Sequence, residues 1–391
     1  MTQTKLFLLA LIISLASVPC IWSQEWITWT EHPDNPIFDP DSRAYYPCII
    51  FDTNLFNGTG SNAPYKIWYQ TESDISHAYS INGVDWIVVG SVSGLVSSAS
   101  HPWVLYNSDG FGDGVYYKIW YWTGIGEISG INAIHYAESS DGVTWINDQS
   151  ITQDATYPLV DNIFGDWWYH LYGPACLLYE SDAGNTGGYP YDYSYVMFFD
   201  TAFEGGGPDG IEAVALAFSS DGKHWTRYSD EPILYPSIGE WDSEYVTRGT
   251  VLKLPSGRYG FWYSGGVSDS NDGIGYAESV DGLNWIKNIE PLMHQNDVGY
   301  PGYPWRSDRT YTPMVIYDSS RFSGYGDSLL YKMWYSGKNP DNGKYTVGVT
   351  YGILEVTVGG SLVRVDVVEL NLLIIVSGML LLSFLWYKRE K

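Results

Sequence analysis

Ser139-Ser-Asp-Gly-Val-Thr-Trp145 decides the fold, because it is one of four copies of the pattern Ser-x-Asp/Asn-Gly-x-x-Trp. The other copies are Ser80-Ile-Asn-Gly-Val-Asp-Trp86, Ser219-Ser-Asp-Gly-Lys-His-Trp225 and Ser279-Val-Asp-Gly-Leu-Asn-Trp285. Each copy follows a segment of alternating polarity and precedes another strand-like segment. We therefore predict a hairpin turn in which the glycine supplies a positive φ. Four copies of one seven-residue pattern indicate a repeat protein.

Two further kinds of segment recur upstream of these turns. Aromatic strands of the type Tyr-Lys-Ile-Trp-Tyr are predicted at 65–69, 117–121, 195–199, 259–263 and 331–335. Apolar strands precede them at 47–51, 102–106, 175–179, 250–254 and 313–317. The order is an apolar strand, an aromatic strand, a third strand that leads into the turn, and an outer strand that begins at the tryptophan. This order predicts five units of four strands each.

The fifth unit has three strands, up to residue 352, but no copy of the turn pattern after them. Its missing outer strand is predicted at the N-terminus, where Trp26 stands in the place of the tryptophans that end the turns. Trp26, Trp86, Trp145, Trp225 and Trp285 are 60, 59, 80 and 60 residues apart. We predict that residues 24–352 form an all-β, five-bladed β-propeller of four-stranded antiparallel blades, closed by the N-terminal strand.

The two ends of the chain have the composition of targeting segments. A basic residue and an apolar run, followed by small residues, predict a signal peptide over residues 1–23. Residues 370–387 are apolar and long enough to span a bilayer, and the basic residues of 388–391 predict a cytoplasmic tail. The expected protein is a type I, single-pass cell-surface protein with an extracellular propeller and a stalk over residues 353–369.

Composition and charge exclude two classes of protein. The chain has 20 Lys and Arg against 45 Asp and Glu, a formal net charge of −25, so a nucleic-acid partner is excluded. Hydrophobic residues make up 45% of the chain and charged residues only 17%, which excludes a disordered protein.

Two cysteines and one sequon fall within the predicted propeller. Cys48 and Cys176 lie on the inner strands of non-adjacent blades. A disulfide between them needs Cα atoms within about 7 Å, so we expect two buried free thiols, with a disulfide as the alternative. Asn57-Gly-Thr59 is a glycosylation sequon in a loop on the face away from the predicted site, or otherwise a polar turn.

The repeats resemble a known family. Tyr331-Lys-Met-Trp-Tyr-Ser-Gly337 and Ile274-Gly-Tyr-Ala-Glu-Ser-Val-Asp-Gly-Leu-Asn-Trp285 are similar to repeats of the five-bladed propeller glycoside hydrolases and phosphorylases: the arabinanase and xylosidase, invertase, and mannoside phosphorylase groups. The resemblance covers residues 26–352 and implies a carbohydrate-active propeller. A structural calcium in the channel would also fit it, but the sequence contains no metal-binding motif, so we predict no cofactor and no metal site.

The resemblance also implies where two catalytic carboxylates are expected. In the arabinanase-like group a general base precedes a proline at the start of the inner strand of blade 1, and a general acid lies at the start of that strand in blade 3. Tyr46-Pro47 and Tyr172-Gly-Pro174 occupy these places, and blade 2 has His101-Pro102. None is a carboxylate, which puts two-carboxylate hydrolysis in doubt.

Other acids are candidates for the chemistry. Asp200 ends the aromatic strand of unit 3, where the other units have Gln70, Trp122, Ser264 and Ser336. We take Asp200 as the first candidate catalytic acid, together with Glu204 and Glu244 on loops of the same face. Asp39, Asp41, Asp242 and Asp308 are further acids that could pair with Asp200. The alternative for each is a solvated surface acid or a turn residue.

Arginines and aromatic residues at the same face are candidates for substrate binding. The arginines could capture a carboxylate or phosphate, or each could pair with a nearby acid such as Asp41 or Asp308. The aromatic rings could stack on sugars, or could simply pack the core. The candidates are Arg43, Tyr45, Tyr46, His101, Trp103, Trp122, Tyr172, Arg248, Arg309 and Tyr311.

Three classes of function remain open from the sequence. The chain could be a glycoside-active enzyme, a non-catalytic glycan-binding receptor or adhesin, or a structural surface protein. The expected partners are a carbohydrate ligand and a membrane. Convergence of Arg43, Asp200 and Arg309 on one pocket would argue against the purely structural class.

Overall fold

The computed structural model describes residues 26–59, 61–124, 133–152, 159, 170–180, 193–203, 211–268, 271–295, 297, 304–324, 329–358 and 361–364. The elements found there are β-strands and short 3₁₀ helices. The chain divides into two compact units, residues 30–351 and residues 1–29 with 352–391. Within the described ranges no helix is long and apolar enough to cross a membrane. The predicted signal peptide and membrane span lie outside these ranges.

The first two blocks of the larger unit are separate four-stranded antiparallel sheets, and their strands follow β1 (Trp26–Glu31). Block 1 consists of β2 (Tyr45–Phe51), β3 (Tyr65–Gln70), β4 (Ile75–Ser80) and β5 (Trp86–Ser91). Block 2 consists of β6 (Ser100–Tyr106), β7 (Tyr117–Thr123), β8 (Ala133–Ser139) and β9 (Ile146–Ser150). In both blocks strands pair in chain order, as the repeats predict.

Blocks 3 and 4 repeat this antiparallel order and are joined by one parallel pair, Glu212 with Tyr245, into a nine-stranded sheet. Block 3 consists of β10 (His170–Tyr179), β11 (Tyr195–Phe203), β12 (Ile211–Ser219) and β13 (Thr226–Arg227). Block 4 consists of β14 (Tyr245–Lys253), β15 (Tyr259–Ser268), β16 (Asn271–Ser279), β17 (Trp285–Lys287) and β18 (Met293–His294).

Block 5 takes its outer strand from the N-terminal end of the chain. It contains β19 (Arg309–Tyr317), β20 (Tyr331–Lys338) and β21 (Tyr345–Val358), in the sheet order β1-β21-β20-β19. The Phe38 and Val347 backbones exchange two hydrogen bonds of 3.0 and 2.9 Å, and the N–H of His32 donates to the Val349 carbonyl at 3.1 Å. The predicted pairing of the N-terminal segment with the last block is therefore confirmed.

The remaining elements are short. In the smaller unit the end of β21 forms a hairpin with β22 (Ser361–Arg364), so part of the predicted stalk is β-structure. Four 3₁₀ helices complete the described elements: Leu55–Gly58, Gly110–Gly112, Pro304–Arg306 and Arg321–Gly324.

The turn pattern forms because its serine and aspartate satisfy the backbone of the turn. Ser139 Oγ accepts the N–H groups of Asp141 and Gly142 at 3.2 and 2.9 Å, and Asp141 Oδ1 accepts those of Val143 and Thr144, both at 2.8 Å. Gly142 has a φ of +78°, a conformation that is costly for any residue with a Cβ. The prediction of a turn with positive φ is confirmed.

The same turns hold neighbouring blocks together. The indole Nε1 of Trp68 in block 1 donates to the carbonyl of Gly142 in block 2 at 2.7 Å. The equivalent bond from Trp120 in block 2 reaches Gly222 in block 3 at 2.9 Å. Trp334 in block 5 bonds Gly83 in block 1, also at 2.9 Å. In these three turns the glycine therefore provides both its own positive φ and the space for the close approach of a tryptophan from the preceding block.

A second set of contacts between blocks was missed from the sequence. The lysine of each Tyr-Lys pair is buried and donates to a tyrosine of the next block: Lys66 to Tyr117 at 2.7 Å, Lys118 to Tyr195 at 2.9 Å and Lys332 to Tyr65 at 3.2 Å. Beneath these lysines lie the rings of Phe56, Phe111 and Phe322. The signal was present as an Asp or Asn four residues before each phenylalanine, at Asp52, Asn107 and Asp318.

Two glycines distinguish the energetic cost of a positive φ from the cost of crowding the neighbouring tryptophan. An added Cβ at Gly142 would lie 2.7 Å from the Trp68 ring, whereas at Gly112, with a similar φ of +80°, it would meet nothing within 4 Å. We expect Gly112→Ala to lower the free energy of unfolding by about 1–2 kcal/mol. Gly142→Ala should cost about 1–3 kcal/mol more, because it also overpacks the interface. Denaturant titration of both variants gives the comparison, and equal losses would contradict this role for the turn.

Candidate functional site

The first strand of every block is irregular at the same place. The pairing register slips at Tyr46-Pro47, at His101-Pro102, on both sides of Gly173-Pro174, at Arg248 and at Thr312-Pro313. In four of the five blocks the slip includes a proline, which has no N–H to give to the ladder, so a bulge forms there; in block 4 the slip falls at Arg248 without a proline. Tyr46, His101 and Thr312 have φ values of 52°, 50° and 52°. Strained backbone of this kind is typical of functional sites.

Side chains from the neighbouring block hold these bulges in place. In four blocks the backbone N–H of a bulge residue donates to a side chain at one shared position, the sixth residue of the second strand of the preceding block. The bonds are His101 to Gln70 Oε1 at 3.3 Å, Arg248 to Asp200 Oδ1 at 3.0 Å, Thr312 to Ser264 Oγ at 2.7 Å and Tyr46 to Ser336 Oγ at 3.1 Å. At the same position Trp122 Nε1 donates to the Leu171 carbonyl at 2.9 Å.

The bulges surround one pocket, which is partly open to solvent. Its lining residues, which come from the first strands of all the blocks, are Tyr46, Pro47, His101, Pro102, Trp103, Pro174, Ala175, Arg248, Gly249, Thr312 and Pro313. We call this cavity the central pocket. Most of its lining residues are aromatic residues, His101 and prolines, and Arg248 is the positively charged residue among them.

Arg248 is fixed on three sides. Its Nη1 donates to the Tyr46 hydroxyl at 2.7 Å, and the guanidinium lies 4.6 Å from the centre of the Tyr46 ring. Its Nε lies 3.2 Å from Asp200 Oδ2, and Nη2 donates to the Tyr172 carbonyl at 3.5 Å. Burial opposes the charge, but Tyr46 and Asp200 hold the pKa of Arg248 above its usual value, so the cation persists.

Asp200 lies behind Arg248 and does not line the central pocket. Its side chain is 0% exposed, and burial raises its pKa to about 7 in spite of the nearby Arg248 cation. Asp200 therefore holds a proton in a pH range where ordinary aspartates are ionised. In this arrangement it reaches a ligand only through Arg248.

The other two candidate arginines do not line the central pocket and are also paired with acids, so the predicted convergence of Arg43, Asp200 and Arg309 is not found. Arg309 Nε lies 2.7 Å from Asp272 Oδ2, and its guanidinium is 4.3 Å from the Tyr311 ring centre. Arg43 is exposed and lies 3.4 Å from Glu72 Oε1. Pairing with acids was the structural alternative for these arginines, but the partner of Arg309 is not Asp308. Asp308 lies 2.6 Å from Lys338 Nζ instead.

Five of the candidate ring residues form one cluster around Tyr46. Its ring centre is 4.0 Å from that of His101, 4.9 Å from that of Tyr45 and 5.6 Å from that of Tyr311. His101 in turn lies 5.2 Å from Trp122. Burial raises the pKa of Tyr45 to about 12, so this hydroxyl keeps its proton. The sequence left open whether these rings pack the core or stack on sugars. They pack against one another, and two of them also line the central pocket.

The remaining site candidates lie elsewhere. Glu244 is exposed and is not among the residues that line the central pocket, and Glu204 falls outside the described residues. Asp242 is buried, with Oδ2 at 2.7 Å from Lys287 Nζ and 3.0 Å from the Tyr263 hydroxyl, which is a structural arrangement. Asn57 is exposed in the first 3₁₀ helix.

Two further predictions concern sulfur and metals. Cys48 and Cys176 are buried free thiols, as predicted, and each Sγ accepts a backbone N–H of the next block, from Val104 at 3.1 Å and from Val251 at 3.4 Å. Within the described part of the chain, no group of three or more His, Cys, Asp or Glu side chains is placed to hold a metal ion. The absence of a cofactor remains a prediction.

Comparison with known proteins identifies the fold. No family model and no curated protein matches the sequence. A thermostable family-43 glycoside hydrolase is 17% identical, with a TM-score of 0.54 and coverage of 85% of this chain and 95% of that one. This likeness shows a shared β-propeller fold.

Two other solved structures are similar to the same extent. One comes from a study of glycoside hydrolases in the mannoside phosphorylase family that target β-1,2 mannosidic linkages in Candida mannan. It is 15% identical, with a TM-score of 0.53 and coverage of 89% and 98%. The other is an N-acetylgalactosamine deacetylase from F. plautii in complex with blood group B trisaccharide. It is 14% identical, with a TM-score of 0.53 and coverage of 84% and 94%.

Asp200 should make the stability of the propeller depend on pH. Burial raises its pKa from 3.8 to about 7, so its proton stabilises the fold fully below about pH 4 and this contribution is lost as the pH rises to about 7. Over that range we expect the free energy of unfolding to fall more steeply for the wild type than for Asp200→Asn, by up to about 1.4 kcal/mol per pH unit. Urea unfolding at several pH values measures both slopes. Parallel curves would show that Asp200 is not the buried, proton-holding acid described above.

Proposed function

We propose that the protein is an extracellular, carbohydrate-active β-propeller that binds a glycan in its central pocket. The observation that carries this proposal is the convergence of strained first-strand residues on one pocket lined by Tyr46, His101, Trp103 and Arg248. Aromatic and proline rings offer flat apolar surfaces to the C–H faces of sugars, and the polar groups between them fix orientation. The fold shared with glycoside hydrolases supports the same ligand class.

The proposal includes the architecture and location that the sequence predicts. The five blocks are the blades of a five-bladed propeller closed by the N-terminal strand. Residues 1–23 direct the chain out of the cell and residues 370–387 anchor it in the membrane. The pocket then faces the extracellular medium, where glycans are abundant. The strong negative charge of the chain keeps the propeller off anionic lipid surfaces.

Binding without catalysis is the reading that the pocket favours. Hydrolysis by the usual route needs two carboxylates beside the scissile bond. Among the described residues that line the central pocket there is no Asp or Glu, and Asp200 is screened by Arg248. The second candidate is hydrolysis or phosphorolysis. It is favoured by the pKa of about 7 at Asp200, which suits a general acid, with Glu204 or Glu244 as its partner.

A binding screen with the full-length protein tests the proposal. We expect a subset of array glycans to bind, and Tyr46→Ala to weaken that binding by at least tenfold because the central ring of the cluster is lost. Tyr116→Ala removes a partly exposed ring outside the pocket and should leave binding unchanged. Thermal unfolding confirms that both variants are folded. Absence of any glycan binding by the wild type would contradict the proposal.

Product analysis on each bound glycan separates the two candidates. We expect binding without turnover. Turnover that is lost in Asp200→Asn or in Glu204→Gln would establish the enzyme instead and would assign those residues to it.

A further inference from the structure

One hydrogen-bond donor of the central pocket has no partner within the described part of the chain. Trp103 lines the pocket and is only 8% exposed, and its Nε1 is buried and unbonded there. An indole N–H can only donate. A buried donor without a partner is costly, so at the wall of a pocket it indicates a ligand that brings an acceptor oxygen.

Arg248 adds a positive charge to the same pocket and keeps donors for a ligand. It lines the pocket, and its side chain is 15% exposed. One N–H of Nη1 is bonded to the Tyr46 hydroxyl at 2.7 Å, and one N–H of Nη2 to the Tyr172 carbonyl at 3.5 Å. Each terminal nitrogen of a guanidinium carries two N–H groups, so within the described residues the second one on each remains for a ligand. A carboxylate can accept from such a pair of donors with both of its oxygens.

The acid beside Arg248 does not use up this charge. Asp200 Oδ2 lies 3.2 Å from Arg248 Nε, but neither atom forms a hydrogen bond within the described residues. Asp200 is held instead through Oδ1, which accepts the backbone N–H of Arg248 at 3.0 Å. Burial, with a smaller effect of Glu212 on β12, raises the pKa of Asp200 to about 7 in spite of Arg248. In mildly acidic solution Asp200 is therefore uncharged and does not compete for the guanidinium.

The rest of the pocket wall does not repel an anion. Among its described lining residues there is no Asp or Glu, and Arg248 is the only charged one. Burial and the Arg248 cation hold the pKa of His101 well below its usual value, so that ring is neutral. A neutral imidazole can carry its proton on either nitrogen. The net charge of −25 opposes an anion at long range, but physiological salt screens charges over about 8 Å, so the groups in the pocket decide.

We infer that the central pocket takes a sugar that carries a carboxylate, a uronic acid unit, whose carboxylate accepts hydrogen bonds from Arg248 and from Trp103 Nε1. The rings and prolines of the pocket then contact the sugar itself. This inference rests on the proposed glycan binding and names its ligand class.

Paired ligands on the unaltered full-length protein test the ligand class. The probes are the methyl glycosides of glucose, galactose, glucuronic acid and galacturonic acid, with inorganic phosphate as an anion that has no sugar ring. Isothermal titration calorimetry is done at about pH 5.5, where Asp200 is protonated and a uronic acid is ionised. We expect at least one uronic acid glycoside to bind at least tenfold more tightly than its neutral counterpart and than phosphate.

The other outcomes of this series distinguish the inference from the proposed function. If each neutral glycoside binds as tightly as its acidic counterpart, the inference fails and glycan binding stands. If phosphate binds as tightly as the acidic glycosides, the pocket is a general anion site and the inference fails. If no glycan of either charge binds, the proposed function fails with it.

The pH dependence of the unaltered protein tests the role of Arg248. At about pH 8.5 Asp200 is ionised and competes for the guanidinium, so we expect the acidic glycoside to bind several-fold more weakly than at about pH 5.5. Asp200→Asn should bind it equally at both pH values, because an amide does not titrate. Equal or tighter binding by the wild type at the higher pH would overturn Arg248 as the residue that holds the carboxylate.

Two matched pairs of variants test the two donors. Arg248→Gln should reduce the preference for the acidic glycoside to about threefold or less, because the charge is lost. Arg258→Gln makes the same change at an arginine that pairs with Glu278 outside the pocket and should keep the preference.

The indole is tested in the same way. Trp103→Phe keeps an aromatic ring but removes the donor, and should weaken binding of the acidic glycoside about tenfold. Trp285→Phe removes another indole donor, outside the pocket, and should leave binding unchanged. Thermal unfolding identifies the variants that are folded, and if Arg248→Gln is not, the pH series decides its role. Wild-type preference in folded Arg248→Gln, or wild-type affinity in Trp103→Phe, would overturn the inference.

Discussion

The hydrogen bond from a tryptophan of one block to the turn glycine of the next is the contact on which the rest of this protein depends. Trp68 reaches Gly142, Trp120 reaches Gly222 and Trp334 reaches Gly83, so the outer turns of blocks 1, 2 and 3 are each held against the second strand of the preceding block. The glycine has to leave space for the indole, and the serine and aspartate of the motif have to hold its positive φ. A short repeated sequence thereby fixes the distance between neighbouring sheets. The buried lysine–tyrosine bonds and the paired inner strands reinforce the same spacing.

With the sheets fixed in this way, their first strands meet at the central pocket and have no freedom to vary much in backbone. The blocks differ instead in the side chains at the bulges and at the sixth residue of the second strand. Asp200 illustrates this, because it occupies the position where Gln70, Ser264 and Ser336 bind the next bulge. Its side chain likewise accepts the N–H of the next bulge residue, and in addition it lies beside the guanidinium of Arg248. The acid that looked most like a catalyst from the sequence is therefore also part of the scaffold of the pocket.

What could be predicted from the sequence was set by local rules. The turns, the order of strands and the closure by the N-terminal strand follow from motifs that act over a few residues or repeat at a regular spacing, and so they could be found. The pairing of the arginines could not. Arg248 bonds Tyr46, 202 positions away. Arg309 pairs with Asp272 and not with the adjacent Asp308, because the geometry between sheets decides which carboxylate is in reach. The lysine–tyrosine–phenylalanine contacts had a sequence signal, but the distance from the phenylalanine to the lysine varies between blocks. His101 and Trp103 were candidates for stacking, and both line the central pocket.

The most direct test of this account is a crystal structure of the protein with the tightest-binding glycan from the array screen. The account predicts electron density for a sugar ring in the central pocket, beside the rings of Tyr46, His101 and Trp103 that line it. A sugar bound at any other surface, with the central pocket holding only water, would contradict it.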